Sequence, residues 1–164
     1  MRSAAFSSHD FPMKLRVLWI GKTRDRNIGQ LISDYASRIE HFLPLELVEI
    51  KEPRVDEAKR QEAEGEKMLA ALDSSDRVIV LDPRGKSWTS PQLSEFIAKH
   101  MREDPRRLNF VIGGFSGIAD SVRKRADTMW SLSPLTFTHD LCRVLLLEQL
   151  YRALAIIHHH PYSK

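Results

Sequence analysis

Apolar residues along this chain fall into two alternating rhythms. Three short runs rich in β-branched and aromatic side chains, KLRVLWI at 14–20, RVIVL at 77–81 and LNFVI at 108–112, each stop at a glycine or at Asp82-Pro83, as strands buried on both faces do. Between and after them the spacing changes. Leu31, Ile32, Tyr35 and Ile39 recur at helical intervals within 28–42 before Pro44 breaks the pattern, and Leu45 to Ile50 alternates apolar with acidic residues, predicting a helix followed by a strand. Val55 to Leu72, rich in Ala, Glu, Lys and Gln with no proline, predicts a charged helix. Ser90-Pro91 supplies an N-cap and a first-turn proline for a helix carrying Leu93, Phe96 and Ile97.

A polar helical stretch follows residues 113–117 and runs to about Ala126, and Met129 to Ser131 is short enough for one more strand. After a loop over 132–138, residues 140–157 predict a helix with Leu141, Val144, Leu145, Leu147, Leu150, Leu154 and Ile157. So much apolar surface requires cover from a sheet or another chain. Strands alternating with helices define an α/β fold with a largely parallel sheet, whose ligands sit at the carboxyl ends of the strands.

Length and charge narrow this only a little. With 164 residues the chain is the size of one compact unit, expected over 13–164, and residues 1–12, which precede the first strand pattern, are expected to be a disordered extension. Against 22 acidic residues stand 25 Lys and Arg, a net charge of +3, which permits a polyanionic partner without demanding one. A lone cysteine, Cys142, excludes an internal disulfide and fits a reducing compartment. No apolar signal core and no run of about 18 apolar residues is present, so the expected location is the cytoplasm, with no membrane partner.

Gly113-Gly114-Phe115-Ser116-Gly117 closes a strand, where small residues let backbone approach a cofactor or simply turn. The spacing matches neither the dinucleotide nor the Walker phosphate fingerprint. Asp82-Pro83-Arg84-Gly85-Lys86 ends another strand with two cations, as a loop over an anionic substrate or a solvated loop would. His158-His159-His160 sits where adjacent side chains cannot all face one ion, and no metal is expected. Glu148 has Arg152 one helical turn on, an ordinary ion-pair spacing.

Taken in order, RGK, IGGFSG, WSLSPLTFTHDLCRVLLLEQLYRA and HHHPYSK resemble the ribosomal RNA large-subunit methyltransferase H family of the SPOUT superfamily, over Met13 to Lys164. That resemblance implies a parallel-sheet α/β fold with a deep trefoil knot in its C-terminal half. It also implies a bound S-adenosylmethionine (SAM, leaving as S-adenosylhomocysteine) and a homodimer with active sites at the subunit interface. The family's cofactor contacts carry over to Leu81, Gly113, Leu132, Ser133, Pro134, Leu135, Thr136 and Phe137. Its implied activity is methylation of N3 of a pseudouridine in 23S rRNA on the assembled ribosome, with no DNA partner.

Before or as N3 attacks the sulfonium methyl it must lose its proton, so an acceptor and rigid alignment are both needed. Glu148, His160 and Tyr162 are the candidate acceptors. Glu148 and Tyr162 lie in the family's helix and tail motifs, with His139 and Arg143 orienting substrate. Arg84, Lys86, Arg143, Arg152 and Lys164 are expected to contact phosphates. The tail departs from the family's His-Pro-Tyr-His by carrying Ser163, and Phe115-Ser116 replaces a proline-containing pair. Two alternatives stay open: a SPOUT enzyme for transfer RNA, and a ribosome-binding factor without catalysis.

Overall fold

A computed structural model describes residues 13–163. The expected extension at 1–12 and the proposed phosphate contact at Lys164 lie outside the described residues. Ten elements alternate along the chain: β1 (Leu15–Ile20), α1 (Arg26–Glu40), β2 (Leu45–Ile50), α2 (Glu57–Ala70), β3 (Arg77–Ser87), α3 (Ser90–Glu103), β4 (Leu108–Ile112), α4 (Asp120–Arg125), β5 (Thr128–Ser131) and α5 (His139–Ile157). A 3-10 turn over Pro161–Ser163 follows. The strands form one sheet in the order β2-β1-β4-β3-β5, and every pairing is parallel. All strand-to-helix loops therefore emerge along one edge.

Successive strand residues face opposite sides, and here both sides are covered, which is why the strands read as unbroken apolar runs. Leu15, Val17, Trp19, Ile79, Leu108 and Phe110 share a core with residues of α1, α3 and α5. Leu18, Val78, Val80 and Val111 join Met68 of α2 and Val122 of α4 on the other side. Full burial of residues such as Phe110 and Leu150 stabilises by about 1.5–3 kcal/mol each. Helix α5 packs between α1 and α3, resolving its apolar excess, although Leu141 at its start remains exposed.

Two predicted boundaries shift, one for a local reason and one through pairing with a distant strand. The N-cap of α3 is Thr89, not Ser90: its hydroxyl accepts from the Gln92 N–H while the Gln92 side chain accepts from the Thr89 N–H, a reciprocal capping box. Strand β3 does not end at Leu81. Both Leu81 and Lys86 pair with Trp130 of β5, so the residues between them bulge outward and the strand resumes to Ser87.

The opposite, amino edge of the sheet carries a polar lock. Arg16 donates to Asn109 and to the Ala71 carbonyl, while Arg107 forks onto Asp76 and Asp73. Burial alone would raise the Asp76 carboxyl, but the Arg107 hydrogen bonds outweigh it and hold the group below its ordinary value. Among the described residues no helix is long and apolar enough to cross a membrane.

Candidate functional site

Three loops on the carboxyl edge converge on one cavity of about 350 Å³. They are the outward bulge within β3 (Leu81–Arg84), the loop after β4 (Gly113–Ile118) and the loop after β5 (Leu132–Phe137), and His139 and Cys142 of α5 close one side. Of the eight expected cofactor contacts, Leu81, Gly113, Leu132, Ser133, Leu135, Thr136 and Phe137 line it. Pro134 does not; it lies exposed in the same loop.

The loop after β4 folds back on itself because Gly117 adopts φ 80°, the left-handed region that side chains with a Cβ avoid. Its N–H donates to the Gly114 carbonyl at 3.0 Å. Helix α2 holds this turn from behind. Gln61 donates to the Ser116 carbonyl at 2.7 Å and to that of Ile118 at 3.3 Å. Glu64, 3% exposed, packs its carboxyl into the space a Cβ on Gly114 would fill. Burial raises this carboxyl above the usual range, and its Oε2 has no hydrogen-bond partner among the described residues.

On the far wall Asp82, 4% exposed, accepts from Arg123 at 2.8 Å and from the Arg84 backbone at 2.9 Å. Burial raises the Asp82 carboxyl, but those donors more than offset it and leave the group below its ordinary value. Sequence reading missed Asp82, Arg123, Gln61 and Glu64. Only contacts between distant elements reveal them, and no local spacing marks them.

The expected catalytic residues separate into two places. His139 lines the cavity, edge-on to Phe115; burial, reinforced by Arg143, holds its imidazole below the usual value, so it is neutral near pH 7. Cys142 is half-buried, and burial pushes its thiol up, away from a reactive thiolate. Arg143 is 4% exposed and both its terminal nitrogens are engaged: it donates to Thr23 Oγ1 at 2.8 Å and the Ile20 carbonyl at 2.7 Å, lies over Trp19, and pairs with Asp140. A residue so enclosed cannot reach a phosphate, and its expected phosphate contact is corrected to a brace between α5 and the loop after β1.

Glu148 and Tyr162 lie elsewhere. Nine residues separate Glu148 from His139, roughly 13 Å along the helix. Glu148 Oε1 accepts from Arg152 at 2.6 Å and from the Tyr162 hydroxyl at 3.1 Å, and Gln149 donates to its Oε2. The expected Glu148–Arg152 pair is thus present, with Arg152 also over the Tyr162 ring. Burial, then the bonds to Tyr35 and Glu148, raise the Tyr162 phenol well above its ordinary value, so it stays a donor. Arg84 and Lys86 remain exposed, Arg84 touching Asp82.

The histidine tract terminates α5. His159 has φ 54°, and the His160 and His159 N–H groups donate to the carbonyls of Ala155 and Ile156, which is a Schellman cap. His158 stacks on Phe42, which turns the tail back over α1. Among the described residues no three His, Cys, Asp or Glu side chains converge as a metal site.

An open parallel α/β sheet with an apolar cavity at its carboxyl edge, walled by glycine-bearing loops, defines a binder of a small organic cofactor. The family model described as "Predicted SPOUT methyltransferase" matches residues 13–163, and the chain belongs to that family. It is 43% identical over 153 residues to the ribosomal RNA large subunit methyltransferase H of Trichlorobacter lovleyi, covering 92% of this chain and 99% of that one. With the protein of the same name from Geotalea uraniireducens it shares 44% over 151 residues, with 92% and 99% covered. Two solved structures share the fold at low identity. They are a probable methyltransferase from Bordetella pertussis Tohama I (TM-score 0.56, 14% identity, 87% of this chain and 97% of that one) and a probable rRNA-methyltransferase from Porphyromonas gingivalis (TM-score 0.52, 10%, 88% and 70%).

Proposed function

We propose that this protein methylates N3 of a pseudouridine in 23S rRNA, using SAM, on the assembled ribosome in the cytoplasm. It does so as one SPOUT unit over 13–164 with a C-terminal trefoil knot. The observation that carries the reading is the convergence of three separate loops on one cavity. The near full-length relatives named for large-subunit rRNA methylation supply the substrate class.

SAM fits what the residues present. The cavity volume lies in the range of small-molecule sites, and its walls are mainly apolar, as Leu81, Ile112, Leu132 and Phe137 would be around an adenine. The bound cofactor supplies an electrophilic methyl group on a sulfonium. The chain's own residues hold that group against the target base and manage the N3 proton. His139, neutral and at the cavity, is the acceptor that a single chain offers there.

Glu148 and Tyr162 act from a second copy. One chain leaves them far from its own cavity, and Phe115 and Leu135, in two of the loops that wall the cavity, are 83% and 69% exposed, an apolar surface that another subunit would cover. In the homodimer the partner's tail completes the site. Glu148, held by Arg152 and by the Tyr162 hydroxyl that donates to it, orients the base.

The direct test is transfer of a tritiated methyl group from SAM to ribosomes of a strain lacking the modification, followed by mapping of the label. Label on a 23S pseudouridine supports the reading. Label on transfer RNA alone assigns a different SPOUT substrate. No label, together with no SAM binding, identifies a ribosome-binding factor.

A further inference from the structure

A second concavity lies on the same edge of the sheet. A groove of about 880 Å³ runs between the loops after β1 and β2. Lys22, Arg24, Lys51, Arg54 and Arg60 line it, opposed by Glu49, Glu52 and Asp56. Of the five cations, all but the half-buried Arg60 are exposed. Most arginines elsewhere sit on carboxylates, among them Arg38, Arg106, Arg107, Arg123 and Arg152. None of the groove's five cations lies within ion-pair range of a carboxylate among the described residues. Two of the acids are partly occupied: Glu49 accepts the Thr23 N–H, and Glu52 folds against Gly21.

Position makes this more than a charged surface. Strand β1 is hydrogen-bonded to β4, so the loops after β1 and β4 are neighbours on the carboxyl edge, the first walling the groove and the second the cofactor cavity. Arg143 ties the two together. It donates to Ile20 and Thr23 at the groove's end, one residue from Cys142, which lines the cavity. A strand of nucleic acid with one base in the cavity would carry its neighbouring phosphates along this edge.

We infer that this groove is the track for the phosphodiester backbone of the RNA flanking the target nucleotide. The inference rests on the rRNA methyltransferase reading above. Phosphates contribute affinity through counterion release, which depends on the number of cations engaged and not on sequence. The groove therefore governs capture of the ribosomal substrate and leaves SAM binding and the methyl-transfer step alone.

The test is the triple variant Lys22→Ala/Arg24→Ala/Arg54→Ala, assayed with ribosomal particles across a salt series beside the wild-type enzyme. Lys99→Ala/Arg102→Ala/Lys124→Ala, on α3 and α4, is the control. The groove variant is expected to raise KM for the particles about tenfold and to make the log-log salt dependence of kcat/KM shallower by about two to three. SAM affinity by calorimetry and kcat should be unchanged, and the control should match wild type. An unchanged KM and salt slope overturns the inference while leaving the methyltransferase reading intact. A wild-type enzyme inactive on ribosomal particles removes both. A photo-crosslinking residue substituted for Val55 on the groove rim keeps all the cations and probes contact directly: label on 23S RNA supports the track, and label on a ribosomal protein alone overturns it.

Discussion

The Glu64 carboxyl sits in the space that a Cβ on Gly114 would require. Helix α2 and the turn after β4 thus interlock, and the shape of the cofactor cavity depends on a residue outside it.

Gly114→Ala is therefore expected to push the turn off Glu64 and lower SAM affinity at least tenfold, measured by calorimetry. Adding Glu64→Ala should recover part of the loss, because the double variant removes the atom that the new methyl meets. Equal affinities for Gly114→Ala and wild type would show that the turn accommodates a side chain without cost.

Asp82 should make folding sensitive to acid. Its carboxyl is held below the ordinary value in the folded protein, so its contribution is present above the unfolded carboxylate value near 3.9 and is lost as pH falls through the lower folded value. Arg123 keeps some solvent contact, so Asp82→Asn should cost about 2 kcal/mol at neutral pH, less than a fully buried pair. The difference from wild type should shrink in acid-titrated denaturant melts as the pH drops below 4.

Removing the tail is expected to separate binding from chemistry. A chain stopped before Pro161 keeps the three loops of the cavity and should bind SAM normally, yet transfer no methyl to ribosomes. Tyr162→Phe removes only the hydroxyl that donates to Glu148 at 3.1 Å and should lower kcat by about tenfold. In mixed dimers, a tailless subunit paired with one carrying Gly114→Ala should regain activity if the tail works across the interface.

His159 occupies a left-handed conformation without being glycine. His159→Gly should relieve that strain and raise stability by about 0.5–1 kcal/mol, read from thermal melting, with SAM binding unaltered.

Much of this is legible in the sequence. Strands such as LNFVI announce themselves because both faces are buried, and the apolar excess of α5 correctly required neighbours. Seven of the eight expected cofactor contacts met at one cavity because the strand ends that carry them are set by the chain's own punctuation. What escaped was set by contacts distant in sequence. Lys86 looked like loop because its pairing with Trp130 is not local. Arg143, a charge on an apolar helix, reads in sequence as available to a phosphate, but Ile20 and Thr23 take its donors. Glu64 and Gln61 sit in an ordinary charged helix, and only the turn they touch gives them a role.

The uniform direction of the strands also divides labour between the two ends of the molecule. At one end Arg16, Asp76, Arg107 and Asn109 form a lock remote from the cavity; at the other, loops carry the cavity and the groove. Stability and activity can accordingly be tuned from opposite poles. Labels or stabilising substitutions belong around Asp104 and Arg106, where chain reversals return to the sheet, and changes of substrate preference belong at the loops of the other end.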